Sequence, residues 1–156
     1  NTLTWATVGS ASFVNTTGRS LVLVSPTDTK LYRHNTGNKN DTANMTSYVE
    51  RTGLTIDETG RNSPATVKHV TSVWPKMTIS DDNTVNVYVG SQMSTEEDIT
   101  WEGPYTFNPD TQSKVPVRVT GKYIGVKFES TGDQTWRLDG YDLELKNSGI
   151  RGSKMN

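Results

Sequence analysis

The residues able to do chemistry in this chain are few and scattered. There are two histidines, His34 and His69, and no cysteine. Nucleophilic catalysis needs a hydroxyl or thiol held against a base, and no serine here sits in a G-x-S-x-G turn. Each histidine falls on a different predicted strand, so both are read as ordinary strand positions. The carboxylates Glu96, Glu97, Asp98, Asp139, Asp142 and Glu144 raise the possibility of glycoside hydrolysis, which needs two acids about 5–10 Å apart across a cleft. Asp142 and Glu144 instead alternate with Leu143 and Leu145 and should form one solvated strand face. Asp81-Asp82-Asn83 lacks the glycine and terminal glutamate of a calcium loop and reads as a tight turn. Three N-x-[ST] matches, at Asn15, Asn40 and Asn44, are expected by chance in so Asn- and Thr-rich a chain. The expectation is a non-enzyme with no catalytic residue, metal or cofactor.

Aromatic side chains are the better-stocked class. Trp5, Trp74, Trp101, Trp136 and six tyrosines could stack on sugars or bases, or anchor an interface. Trp136 has the parity of a core residue. Trp74 precedes Pro75 at a predicted strand end, and Trp101 lies just before Gly103-Pro104-Tyr105. Trp74, Trp101 and Tyr105 are therefore the candidate rim or interface residues, with core filling as the competing role for each.

These residues must be positioned by strands. With 156 residues the chain can bury roughly 70% of its unfolded surface, enough for a real core. Thr, Asn, Ser and Gly abound, which favours strands and turns over helices. A net charge of −1 gives no basic footprint for nucleic acid. No apolar run approaches the ~18 residues of a membrane span. Without cysteine, neither disulfides nor thiolate metal sites contribute. The chain opens at Asn1 as though within a strand, NTLTWATVG, which suggests a processed product or a piece of something longer.

Period-two alternation dominates the last third. Val115, Val117 and Val119 share a face, as do Ile124, Val126 and Phe128. In the closing segment Trp136 and Leu138 have one parity, whereas Tyr141, Leu143 and Leu145 have the other. A β-bulge at Asp139-Gly140 would return all five to one side. Further strands are predicted over 48–51, 54–56, 66–74, 84–89, 99–101 and 105–107, and Ser94 to Glu97 resembles a capping box for one helical turn. Upstream, short strands near 3–7, 11–14, 20–24 and 30–34 form a meander. The predicted organisation is a blade-like meander over 1–37, a linker over 38–46, an antiparallel β-sandwich or jelly-roll-like domain over 47–146, and a flexible tail over 147–156. The fold class is all-β.

The collinear order SYVERTGLTI, TVKHVTSVWPKM, VNVYVGSQMS, ITWEGPYTF, VPVRVTGKYIGVKFES and WRLDGYDLEL resembles the C-terminal region of tailed-phage virion proteins of the tail nozzle and packaged-DNA stabilisation type. Leu31-Tyr32-Arg33-His34-Asn35-Thr36-Gly37 looks like the final strand of the last β-propeller blade in that family. The family proteins are several times longer, so this chain would be a fragment or a cleaved product of one. The resemblance implies a virion structural protein, made in the host cytoplasm and assembled as a homo-oligomeric ring with other tail proteins. It would form or extend the DNA conduit through which DNA is ejected, touching DNA only non-specifically. The segment GKYIGVKFES to WRLDGYDLEL also resembles the terminal strands of galactose-binding-like sandwiches. That alternative implies a carbohydrate- or receptor-binding module, with Trp101 and Tyr105 stacking on a glycan.

Overall fold

The computed structural model describes residues 12–14, 20–24, 32–33, 39–40, 43–80 and 83–147, and among them every regular element is a β-strand. The chain divides into two compact units, Asn1–Met45 and Thr46–Asn156.

In the first unit β1 (Ser12–Val14), β2 (Ser20–Val24) and β3 (Tyr32–Arg33) form a three-stranded antiparallel meander in that order. The strand expected near 3–7, the turns flanking β2, and His34 lie outside the described residues. The segment expected to be a linker carries a small ladder, β4 (Lys39–Asn40) against β5 (Ala43–Asn44).

The second unit is an antiparallel sandwich. Its strands are β6 (Ser47–Leu54), β7 (Lys68–Ile79), β8 (Val85–Gln92), β9 (Thr100–Phe107), β10 (Val115–Gly121), β11 (Tyr123–Ser130) and β12 (Trp136–Asn147). One sheet runs β6-β11-β8-β9 and the other β10-β7-β12. The alternating valines decide which faces meet. Val85, Val87 and Val89 of β8, Val115, Val117 and Val119 of β10, and Ile124, Val126 and Phe128 of β11 are all buried, with Val70, Val73, Leu54 and Phe107 completing the core. This is what one apolar face per strand must do when two sheets stack.

The irregularities do the aiming. Asp139 is an extra residue on β12, since Leu138 lies opposite Met77 and Gly140 opposite Lys76. As its sequence requires, Trp136, Leu138, Tyr141, Leu143 and Leu145 all pack on the core. A second shift in the same ladder places an extra residue, Thr71, on β7, where Ser72 faces Glu144 and Val70 faces Leu145.

Several expected boundaries move. The predicted strands over 99–101 and 105–107 are one strand, β9, because the Gly103-Pro104 step is absorbed as a bulge opposite Tyr88. That peptide is cis, and Gly103 has a positive φ of 127° that few side chains adopt. β6 likewise runs through a bulge at Thr52-Gly53, leaving Ile56 as an isolated bridge to Asn62. Ser94 to Glu97 is not a helical turn but a tight one, closed by Glu97 N–H to Ser94 O at 3.4 Å. Four residues cannot propagate a helix when strands begin on either side. Residues 148–156 of the expected tail lie outside the described residues.

Candidate functional site

The outer face of the four-stranded sheet carries an aromatic surface built over two glycines. Gly90 of β8 lies opposite Gly125 of β11 and Trp101 of β9. A Cβ on Gly90 would stand 2.5 Å from Ile99 Cδ1 and 2.9 Å from Trp101 Cε3, and one on Gly125 would stand 3.0 Å from Trp101 Cη2. The indole and Ile99 therefore lie flat in a trough that only glycine leaves open.

Beside the trough, Lys127 sits between two tyrosines. Its Nζ is 5.0 Å from the ring centre of Tyr48 and 5.1 Å from that of Tyr88. Its ammonium also pairs with Glu129 at 2.5 Å, and Tyr88 Oη donates to the same carboxylate at 3.3 Å. The bond to Glu129 holds the Lys127 pKa above its ordinary value, while burial, reinforced by Glu129, raises that of Tyr88. Tyr48 remains 61% exposed and keeps one face of this cluster open to solvent.

The other two sequence candidates lie elsewhere. Trp74 projects from the outer face of the three-stranded sheet, 38% exposed, with Lys114 Nζ 4.9 Å above its ring. Around it Asp142 pairs with Lys76 at 2.7 Å and Glu144 with Lys114 at 3.9 Å, so both acids occupy the solvated face that their alternation requires. Tyr105 turns inward opposite Val87, packs against the core, and donates to Glu102 at 3.4 Å. It borders a groove of 550 Å³ shared with His69, Thr71, Pro116 and Arg118. His69 spends Nδ1 on the Thr120 hydroxyl at 2.8 Å. Trp74, Trp101 and Tyr105 thus mark three separate surfaces rather than one rim.

A further cleft, of 480 Å³, opens on the flank where β6 and β12 are the bordering edge strands. Leu54, Leu143 and Leu145 line it with Arg51, Tyr141 and the turn carrying Asp57 and Glu58. Two cross-links bridge this flank: Trp136 Nε1 to Ser47 Oγ at 2.8 Å, and Asn147 N–H to Glu58 Oε2 at 3.3 Å. Asp57 is consumed by its own turn, accepting from Thr59 Oγ1 at 2.6 Å, Thr59 N–H at 2.9 Å and Arg61 N–H at 3.1 Å. The Thr59 hydroxyl and these amides hold its carboxyl below the usual range, the opposite of what a general acid needs.

Sequence reasoning missed Lys68. This fully buried lysine donates from Nζ to the carbonyls of Ser63 at 2.6 Å, Lys122 at 2.8 Å and Thr66 at 2.9 Å. Burial pushes its pKa down. The available signal was parity, because Lys68 shares the inward phase of Val70 and Ser72. Among the described residues no group of three or more His, Cys, Asp or Glu could hold a metal ion.

Compared with known proteins, the chain matches no protein-family model and no curated protein.

Proposed function

We propose that this chain is a non-catalytic structural component of a tailed-phage virion, part of a ring of the tail nozzle that forms or extends the DNA conduit. The observation that carries the proposal is the collinear run of segments resembling that family. In this chain the same segments supply, in order, the strands β6 to β12 of one antiparallel sandwich. Its chemistry suits assembly, because the exposed aromatics Trp74 and Tyr48 offer contact area. A net charge of −1 also fits a conduit, since a basic wall would retain DNA through many phosphate contacts. In this role the protein works inside the particle as a homo-oligomer alongside other tail proteins.

The test is mass spectrometry and electron microscopy of purified virions, together with light scattering of the isolated full-length protein. A ring of fixed stoichiometry in the tail is the expected result. A monomer with no place in particles would overturn the proposal.

A carbohydrate- or receptor-binding module is the second reading, favoured by one observation: Trp101, Tyr88 and Tyr48 share a single outer face. Tyr105 faces the other way and drops out of that platform. Saturable glycan binding that is lost in Trp101→Ala would favour this reading over the first.

A further inference from the structure

The free edge of β12 has its main-chain groups half accounted for. Alternate residues of a strand point their N–H and C=O to the same side. The Asn147 N–H donates to the Glu58 carboxylate rather than to β7, which fixes the odd-numbered positions as those facing the open flank. By that alternation Tyr141, Leu143 and Leu145 present their backbone groups to the same side, and among the described residues β12 pairs only with β7. The extra residue Asp139 lies before this stretch and Thr71 lies on β7, so β12 itself is regular over 140–145. Across the gap β6 is bulged at Thr52-Gly53 and cannot supply the missing ladder.

The side chains around this edge are also incomplete in a particular way. The acids of the cleft wall are engaged, Asp57 by its turn, Glu58 by Asn147 and Asp142 by Lys76. Tyr141 Oη is buried and makes no hydrogen bond of regular geometry, although the Arg51 side chain is close enough to act on it. Arg51 stands beside it with no carboxylate paired to it among the described residues. The floor is apolar, from Leu54, Leu143 and Leu145, and Ile56 at the rim is 39% exposed. What fits is an occupant with backbone acceptors for Arg51 and Tyr141, backbone donors for the strand carbonyls, and a small apolar side chain for the floor. A strongly charged occupant fits poorly, because acids and a guanidinium share the wall.

We propose that the flank between β6 and β12 is a docking site for an extended, uncharged polypeptide segment alternating apolar and polar residues, added as an eighth strand of the sandwich along residues 140–145. Strand addition of this kind draws affinity from main-chain bonds and selectivity from alternate side-chain pockets. This site is independent of the tail reading, and it holds if that reading fails.

The test is an NMR titration of the full chain with the capped peptide acetyl-Thr-Val-Thr-Val-Thr-amide, beside acetyl-Thr-Pro-Thr-Pro-Thr-amide, whose prolines lack N–H groups. Shifts concentrated at amides 51–54 and 140–145 with the valine peptide are expected, with at least tenfold weaker binding of the proline peptide. Arg51→Ala should weaken binding at least fivefold. Tyr141→Phe should weaken it as well while leaving the melting temperature unchanged or higher, since the buried hydroxyl it removes makes no hydrogen bond of regular geometry. Absence of shifts at those amides, equal binding of the two peptides, or wild-type affinity in Arg51→Ala would each overturn the proposal.

Discussion

Lys68 shows how one side chain can replace a good deal of backbone pairing. Its ammonium gathers three carbonyls from the 63–66 turn and from Lys122, ends of chain that no ladder joins. Replacing it by methionine keeps most of the volume but strands three acceptors, so Lys68→Met should cost about 3 kcal/mol in urea denaturation at pH 7. The pH dependence follows from the direction of the shift. Burial lowers the native pKa below the ordinary 10.5, so on the way up the native state releases its proton before the unfolded chain does. Between those two values the unfolded state binds more protons, and this group makes stability rise with pH. Tyr88, Tyr105 and Tyr141, whose pKa values burial raises, act in the opposite sense above pH 10. Comparing wild type with Lys68→Met from pH 7 to 10 isolates the lysine: its alkaline gain should vanish in the variant, and equal slopes would refute the account. Of the candidate surfaces, the sequence disclosed residue types but not company. Trp101 announced itself as an exposed-prone aromatic, yet nothing local could say that it lies over Gly90 and Gly125, because that meeting joins three strands.

At the level of the strand, two-residue rhythm is readable and turn chemistry largely so. Asn108-Pro109-Asp110 behaves as expected, with Asp110 N–H bonded to the Asn108 side chain at 2.8 Å. The bulge at Asp139 was legible because five large apolar residues flank the phase break. The bulges at Gly103-Pro104 and Thr52-Gly53 were not, since a glycine with proline or threonine signals a strand end as readily as a detour within one. The Gly90 and Gly125 pair belongs to the same lesson, being a place where absence of a side chain is the structural device. Gly90→Val should force Ile99 and Trp101 off the sheet, cost about 2 kcal/mol, and red-shift tryptophan emission. In an Ile99→Ala background the cost should shrink, because the closest obstruction, Ile99 Cδ1 at 2.5 Å, is gone. Equal losses in both backgrounds would contradict the trough.

For the molecule as a whole, the second unit carries a core of its own. All thirteen buried apolar residues that form the described core, from Leu54 to Phe128, belong to the second unit. A chain covering 46–156 alone should therefore keep a cooperative thermal transition within a few degrees of the full chain. Loss of that transition would mean that the sandwich leans on residues before Thr46. The all-β class and the sandwich were within reach of the sequence because alternation fixes which faces are apolar. Which strands become edges was not, since strand order depends on long-range pairing that no local pattern encodes.

One consequence concerns how such a sheet can change length. Asp139 adds a residue to β12 and Thr71 adds one to β7, and the two offsets cancel, so the ladder leaves the region in the phase with which it entered. Losing Asp139 by itself would only straighten the ribbon, since Leu138 and Tyr141 would then stand two apart and still point inward. Losing a residue within the regular stretch 141–145 would instead reverse every side chain beyond it. Descendants of this chain should accordingly shorten β12 at Asp139 and nowhere else along its inner run.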